Sequence, residues 1–159
     1  MKVLQSPQDL RIAYEFDGPI VFLAGGISGC ENWQDYVINK LQIQDKEQNY
    51  LLINPRREGD LAPNGEMAEA QIIWEAEAMT LVDTMAFWFP KETLCPITLF
   101  EYGLSIGRKQ DIILGIHLEY QRRFDLEIQT QHYRPRIKPV YSLDDFAQRI
   151  SRCMGTLKS

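Results

Sequence analysis

The sequence predicts an α/β domain, a parallel sheet of about five strands with helices on both faces. Three observations carry that expectation. Short segments that are apolar throughout, as strands buried on both faces are, recur at Pro19–Ala24, Leu51–Ile53, Met85–Phe89 and Ile112–Ile116. Between them the apolar residues fall at helical spacings of three and four. The first three of these runs end on glycine, asparagine or proline (Gly25, Asn54 and Pro90), which punctuate turns.

Taken in order, residues 1–18 (MKVLQSPQDLRIAYEFDG) read as an N-terminal extension with an additional edge strand at Leu10 to Tyr14. Pro19–Ala24 is the first core strand and runs into the turn Gly25-Gly26-Ile27-Ser28-Gly29. Asn32 is placed to cap a helix carrying Trp33, Tyr36, Val37, Ile38 and Leu41. Leu51–Ile53 is a second strand that stops at Asn54-Pro55-Arg56-Arg57, and the polar stretch through Gly65 reads as a surface loop. From Glu66 to Leu81 the chain is rich in Ala, Glu and Met, has no Gly or Pro, and spaces Met67, Ala70, Trp74, Ala78 and Leu81 as a helix does. The strand Met85–Phe89 closes on Pro90, and a helix from Ile97 to Ile106 ends at Gly107-Arg108-Lys109. After the strand Ile112–Ile116, residues 118–135 fit neither template and are expected as a lid, an edge hairpin or a dimer contact. A further strand is expected around Ile137–Tyr141, then a last helix capped by Ser142 with Asp145 three positions on. The 159 residues are thus expected to form one domain.

Composition narrows the function classes. The chain is 45% hydrophobic and 25% charged, ordinary for a globular domain, and has no apolar run near the roughly 20 residues of a membrane span. With net charge −5 it has no general attraction for nucleic acid polymers or anionic lipids, so an anionic ligand must be met locally. Its N-terminus lacks the apolar stretch of a signal peptide, and Cys30, Cys95 and Cys153 are too scattered for a disulfide scaffold. A cytoplasmic location is the expectation. His117 and His132 show no metal-ligand spacing, and no GxGxxG or Walker sequence is present, so neither a metal nor a cofactor is expected.

In an open parallel sheet, ligands bind beyond the carboxyl ends of the strands. Those ends carry Gly25, Gly26 and Ser28; Asn54, Arg56 and Arg57; and Cys95 and Thr98, all candidate substrate-binding residues. The glycine pair serves either close backbone approach to a ligand or a tight turn. The arginines serve either a phosphate or carboxylate, or ion pairs with Glu58 and Asp60. The sharpest constellation is Trp74-Glu75 on a helix, Asp83 at the start of a strand and Glu101 on the next helix, which makes Glu75, Asp83 and Glu101 the candidate catalytic set. Glu101 sits among Leu99, Phe100, Tyr102 and Leu104, apolar neighbours expected to exclude water, although by residue type alone an exposed glutamate is the commoner state. Trp33, Trp74, Trp88 and Phe89 offer aromatic faces for a base, with Trp88 expected in the core.

The ordered segments VFLAGGISG, LLINPRR, QIIWEAEAMTLVDTMAFWFP and TLFEYG, spanning about Val21 to Gly115, resemble the nucleoside 2-deoxyribosyltransferase-like family. That resemblance implies a Rossmann-like (flavodoxin-like) sheet, a homo-oligomer, and cleavage or transfer of the N-glycosidic bond of a small-molecule nucleoside or nucleoside 5'-monophosphate. It places the family's nucleophile on Glu101 and an acidic residue that positions or protonates the base on Glu75. Six residues before the nucleophile the family carries an aspartate for a sugar 5'-hydroxyl or a serine for a 5'-phosphate; here Cys95 stands there. Alternative readings are a non-catalytic nucleotide-binding module and an NAD-cleaving glycohydrolase.

Overall fold

The computed structural model describes residues 1–45, 47–57 and 65–157. Five strands, β1 (Lys2–Gln5), β2 (Ile20–Gly25), β3 (Leu51–Asn54), β4 (Thr84–Phe89) and β5 (Asp111–Ile116), form one all-parallel sheet in the order β1-β3-β2-β4-β5. The helices are α1 (Arg11–Tyr14), α2 (Trp33–Gln44), α3 (Gly65–Ala78), α4 (Pro96–Arg108), α5 (Arg123–Tyr133) and α6 (Leu143–Thr156). This is the α/β arrangement that the alternating pattern predicts and the flavodoxin-like sheet that the family resemblance implies. From β2 the chain steps outward to β3, then returns to the opposite flank of β2 as β4. That reversal parts the connecting segments at the carboxyl ends of β2 and β4, where open sheets of this kind hold their ligands.

The strands read as continuous apolar runs because successive side chains enter two different cores. Phe22, Ala24, Phe87, Phe89 and Leu114 pack with Ala78, Tyr102 and Leu126 from α3, α4 and α5. Val21, Leu23, Ala86, Trp88 and Ile113 pack with Trp33, Val37 and Leu41 of α2 and Phe146 and Ile150 of α6. Each large side chain buried this way contributes roughly 1.5–3 kcal/mol. Both expected caps are present: Asn32 accepts from the Asp35 N–H at 3.2 Å, and Ser142 from the Asp145 N–H at 3.1 Å.

Several boundaries differ from the sequence-based expectation. The edge strand is Lys2–Gln5, paired with β3, and Leu10–Tyr14 belongs to a helical turn. Leu10 and Ala13 are buried three residues apart, and Asp9 accepts from the Arg11 N–H at 2.9 Å, both helical devices. The expected strand at 137–141 reduces to one bridge between Val140 and Gly115, since Pro139 has no N–H with which to extend a ladder. Residues 118–135 supply α5, whose Leu126 and Thr130 are buried on α4 and the sheet. α3 stops at Ala78, and α4 carries on through Gly107 to Lys109, which adopts the left-handed conformation (φ 58°) that closes the helix. The surface loop expected before Gly65 lies largely outside the described residues.

One buried carboxylate ties the sheet to α6. Asp45, 3% exposed after α2, accepts from the Tyr50 hydroxyl at 2.8 Å and the Ser151 hydroxyl at 2.6 Å. Burial, and the bond to Asp45, raise the Tyr50 hydroxyl above its ordinary pKa, so it remains a donor throughout the working range. Asp45→Ala leaves the buried Tyr50 hydroxyl and the half-buried Ser151 hydroxyl without their acceptor and is expected to lower unfolding free energy by about 2–4 kcal/mol. Asp45→Asn, which keeps one acceptor oxygen, should lose less than half of that. Urea unfolding of the three proteins checks the ordering.

Candidate active site

A cavity of about 390 Å³ opens at the carboxyl ends of β2 and β4. Its floor is the end of β2, where two glycines permit contacts that no other residue would. A Cβ on Gly25 would strike the Trp88 carbonyl and lie 2.6 Å from the Trp33 ring. On Gly26 it would lie 2.8 Å from Cys95 Sγ. Trp33 Nε1 donates to the Gly26 carbonyl at 2.9 Å, and the Arg56 guanidinium donates to the carbonyls of Ile27 and Cys30. The loop after β2 is therefore fastened from behind. Across the cavity, α4 starts at Cys95, held in the left-handed conformation (φ 48°, ψ 56°) before Pro96 at the first helical position.

Glu75 of α3 and Glu101 of α4 both line the cavity, and their environments differ. Burial, with the charge of Glu75 second, pushes the Glu101 carboxyl up to about 7. Burial also raises Glu75, but a hydrogen bond from Gln71 and the nearby Arg57 charge offset part of that rise. A free cavity near neutral pH thus holds two carboxyls on unequal terms, with Glu101 the more reluctant to ionise. Two such groups facing one space are equipped to act as nucleophile and proton donor to a bound molecule. The apolar wall is Phe22, Ala24, Ile27, Ile72 and Ile97.

The structure brings Gly25, Gly26, Ser28, Cys95, Thr98, Glu75 and Glu101 to this wall, and leaves the remaining candidates off it. Asn54 is fully buried with its Oδ1 on the Arg56 N–H at 3.0 Å, and Arg56 turns Nη2 to the loop carbonyls while its Nη1 is buried. Arg57 Nε donates to the Ser6 hydroxyl at 3.3 Å; its expected pairing with Glu58 and Asp60 falls outside the described residues. Trp74 Nε1 donates to the Gln8 carbonyl at 2.8 Å. Asp83 precedes β4 at the opposite end of the sheet and accepts from the Ile20 N–H at 2.8 Å, which makes it a strand-end fastener and takes it out of the catalytic set. Trp33, Trp88 and Phe89 are 3% exposed or less and belong to the core. Nor do the sequence neighbours of Glu101 shield it as expected, for Phe100 is 70% exposed: a helix fans adjacent residues round its axis, and the enclosing groups come from other segments. Burial pushes the Cys95 thiol up to about 11, far from the thiolate a nucleophile needs. Among the described residues no three metal-ligand side chains gather, and no helix is long and apolar enough to cross a membrane.

Sequence reading missed Gln71. It is 7% exposed, lines the cavity, and lies one helical turn before Glu75. The i, i+4 spacing of Gln and Glu on α3 was the available signal.

The family model described as nucleoside 2-deoxyribosyltransferase like matches residues 18–120, which carry β2 to β5, Glu75 and Glu101. The chain belongs to the nucleoside 2-deoxyribosyltransferase-like family. Membership agrees with a cavity built around two carboxylates and with N-glycosidic-bond chemistry on nucleosides as the family's field. Its fold is also that of a conserved protein from Enterococcus faecalis V583, whose crystal structure aligns with TM-score 0.62 at 12% identity over 86% of this chain and 99% of that one. Among curated proteins no relative matches.

A carboxyl raised to about 7 in the fold keeps its proton after the unfolded chain, near 4.3, has lost its own. Its relative stabilisation is complete at low pH and is lost as pH rises through about 7. Glu101→Gln should therefore raise stability at pH 8 by about 1–2 kcal/mol, allowing for solvent screening, and leave it nearly unchanged at pH 4. Calorimetric melting at both pH values checks the sign. Equal gains at both would place the cause elsewhere than in ionisation.

Proposed function

We propose that this family member cleaves or transfers the N-glycosidic bond of a nucleoside, with Glu101 as nucleophile and Glu75 as acid. The observation that carries the reading is the pair of unequal carboxyls, on different helices, facing one largely apolar cavity at the sheet's reversal point. An ionised Glu101 oxygen bonds to the anomeric carbon as the carbon–nitrogen bond breaks. The bond's electron pair goes to the base nitrogen, and the Glu75 proton neutralises the departing base. Positive charge growing at the sugar favours ionisation of Glu101, and the one proton the pair retains then rests on Glu75. Water, or a second base, next attacks the glycosyl ester, returning a proton to Glu75 and freeing Glu101. Two inversions give retention.

Charge favours an unphosphorylated substrate. Two carboxyls and no cation among the described residues line the cavity, and residues 58–64, Glu-Gly-Asp-Leu-Ala-Pro-Asn, contain none by sequence. With Arg56 turned to loop carbonyls and Arg57 off the lining and bonded to Ser6, the described lining offers a 5'-phosphate no side-chain cation of the kind such groups ordinarily find. The same argument weighs against NAD, which carries two phosphates.

Incubation with a panel of nucleosides and their 5'-monophosphates, followed by chromatography of free base, tests this function. Base release from nucleosides at least tenfold faster than from monophosphates is expected, and Glu101→Gln should abolish it while the fold persists. A 2'-fluoro-2'-deoxy nucleoside should leave a glycosyl-sized mass increment on Glu101. Release from no nucleoside or nucleotide would overturn the enzymatic reading, and an increment on Glu75 or Cys95 would overturn the nucleophile assignment.

A further inference from the structure

The N-terminal segment reaches the cavity through a chain of hydrogen bonds that lies partly outside the stretch shared with the family. Ser6 follows β1, is 4% exposed, and does not line the cavity. Its hydroxyl donates to Gln71 Oε1 at 2.8 Å and accepts from Arg57 Nε at 3.3 Å. Gln71 Nε2 in turn donates to the Pro55 carbonyl at 3.0 Å and to Glu75 Oε1. The Pro55 carbonyl is purely an acceptor, as is an ionised Glu75, so the amide nitrogen must face these two, and the amide oxygen is left for Ser6. Every bond in the relay points the same way, from Arg57 through Ser6 and Gln71 to Glu75, an arrangement in which each donor polarises the next. One turn along the same helix, Trp74 Nε1 donates to the Gln8 carbonyl at 2.8 Å, so residues 6–8 grip α3 at two points spaced i, i+3.

We propose that Ser6 and Gln71 are positioning residues for Glu75: by occupying Oε1 as an acceptor, Gln71 leaves Oε2 to carry the acid's proton. This inference rests on the acid role given to Glu75 above. A carboxylic acid whose two oxygens are equivalent divides its proton between them, and only one can be directed at a departing base. With Oε1 already receiving an N–H, protonation at Oε1 would set donor against donor, so Oε2 is the oxygen that holds and delivers the proton. The Pro55 carbonyl fixes which end of the Gln71 amide faces Glu75, and Ser6 supports that orientation by donating to the amide oxygen. Among the described residues the charged groups around Glu75 are Arg57, beyond β3, and Glu101 on α4; the first favours its ionised form and the second acts against ionisation of the pair.

The test compares wild type with Gln71→Met, Ser6→Ala and Ser6→Thr by two readouts. Carboxyl-carbon NMR titration follows Glu75 directly and needs no turnover. Gln71→Met should move its midpoint up by about one unit, the loss expected for one donor to a carboxylate. Ser6→Ala should move it in the same direction by less, and Ser6→Thr, which keeps the hydroxyl, should restore it. On activity, Gln71→Met should slow release of poor leaving bases about tenfold while activated ones change less than twofold, since only the former need the proton. If wild type releases no base, the enzymatic reading fails, and the titrations still decide whether Gln71 and Ser6 govern Glu75. A Glu75 midpoint within 0.2 units of wild type in both Gln71→Met and Ser6→Ala would overturn the proposal, as would an equal slowing of good and poor leaving bases. Should Gln71→Met not fold, Ser6→Ala against Ser6→Thr carries the same comparison.

Discussion

The arrangement depends on one close approach, the end of β2 lying against the end of β4 with no room for a side chain between them. At Gly25 a Cβ would meet both the Trp88 backbone and the Trp33 ring, so the strand can remain in register to its last residue only as glycine. Because it does, Trp33 reaches the Gly26 carbonyl, and Gly26 reaches Cys95, where the helix carrying Glu101 begins. The separation of α3 from α4, and with it the width of the space between the two carboxyls, follows from how tightly those strand ends close. Gly25 and Gly26 are accordingly explained by protein packing against protein.

Electrostatics then divides the work between carboxyls that share a medium. Both lose water, which raises both; only Glu75 recovers some of that loss from a donor and a cation. The imbalance suits the proposed reaction, which needs a proton at one side of a bond and an anion at the other. The stability that Glu101 forgoes in its ionised form is the cost of holding a carboxyl away from solvent.

Much of this was legible in the residues, and the exceptions have a common cause. Apolar runs marked β2 to β5, caps at Asn32 and Ser142 marked α2 and α6, and TLFEYG marked the helix with Glu101, all from local pattern. What failed depends on neighbours distant in sequence. Asp83 looked catalytic because it lies near Glu75 in the chain, yet a strand's two ends face opposite ways and Asp83 is at the wrong one. Arg56 looked like an anion site until the loop carbonyls 26 and 29 residues earlier claimed it. Lys2–Gln5 is too short to announce a strand, and gains its place only because β3 has an open edge beside it. Gln71 was missed for the same reason, since two of its three partners, Ser6 and the Pro55 carbonyl, lie 65 and 16 residues away.

Tyr102 follows Glu101 on α4 and points the other way, into the aromatic cluster with Phe87 and Phe89, where its hydroxyl meets Thr130 of α5 at 2.7 Å. The proposed nucleophile is thus mounted on a helix anchored by a tail lying beyond the family's shared stretch, which ends at residue 120. Trimming the chain to that stretch would bare the ring faces under α5 and the Trp88 side of the sheet under α6. What is inherited in common and what must fold together are therefore different lengths of polypeptide. Anyone grafting this cavity onto another scaffold would have to carry over the appendages as well as the motif.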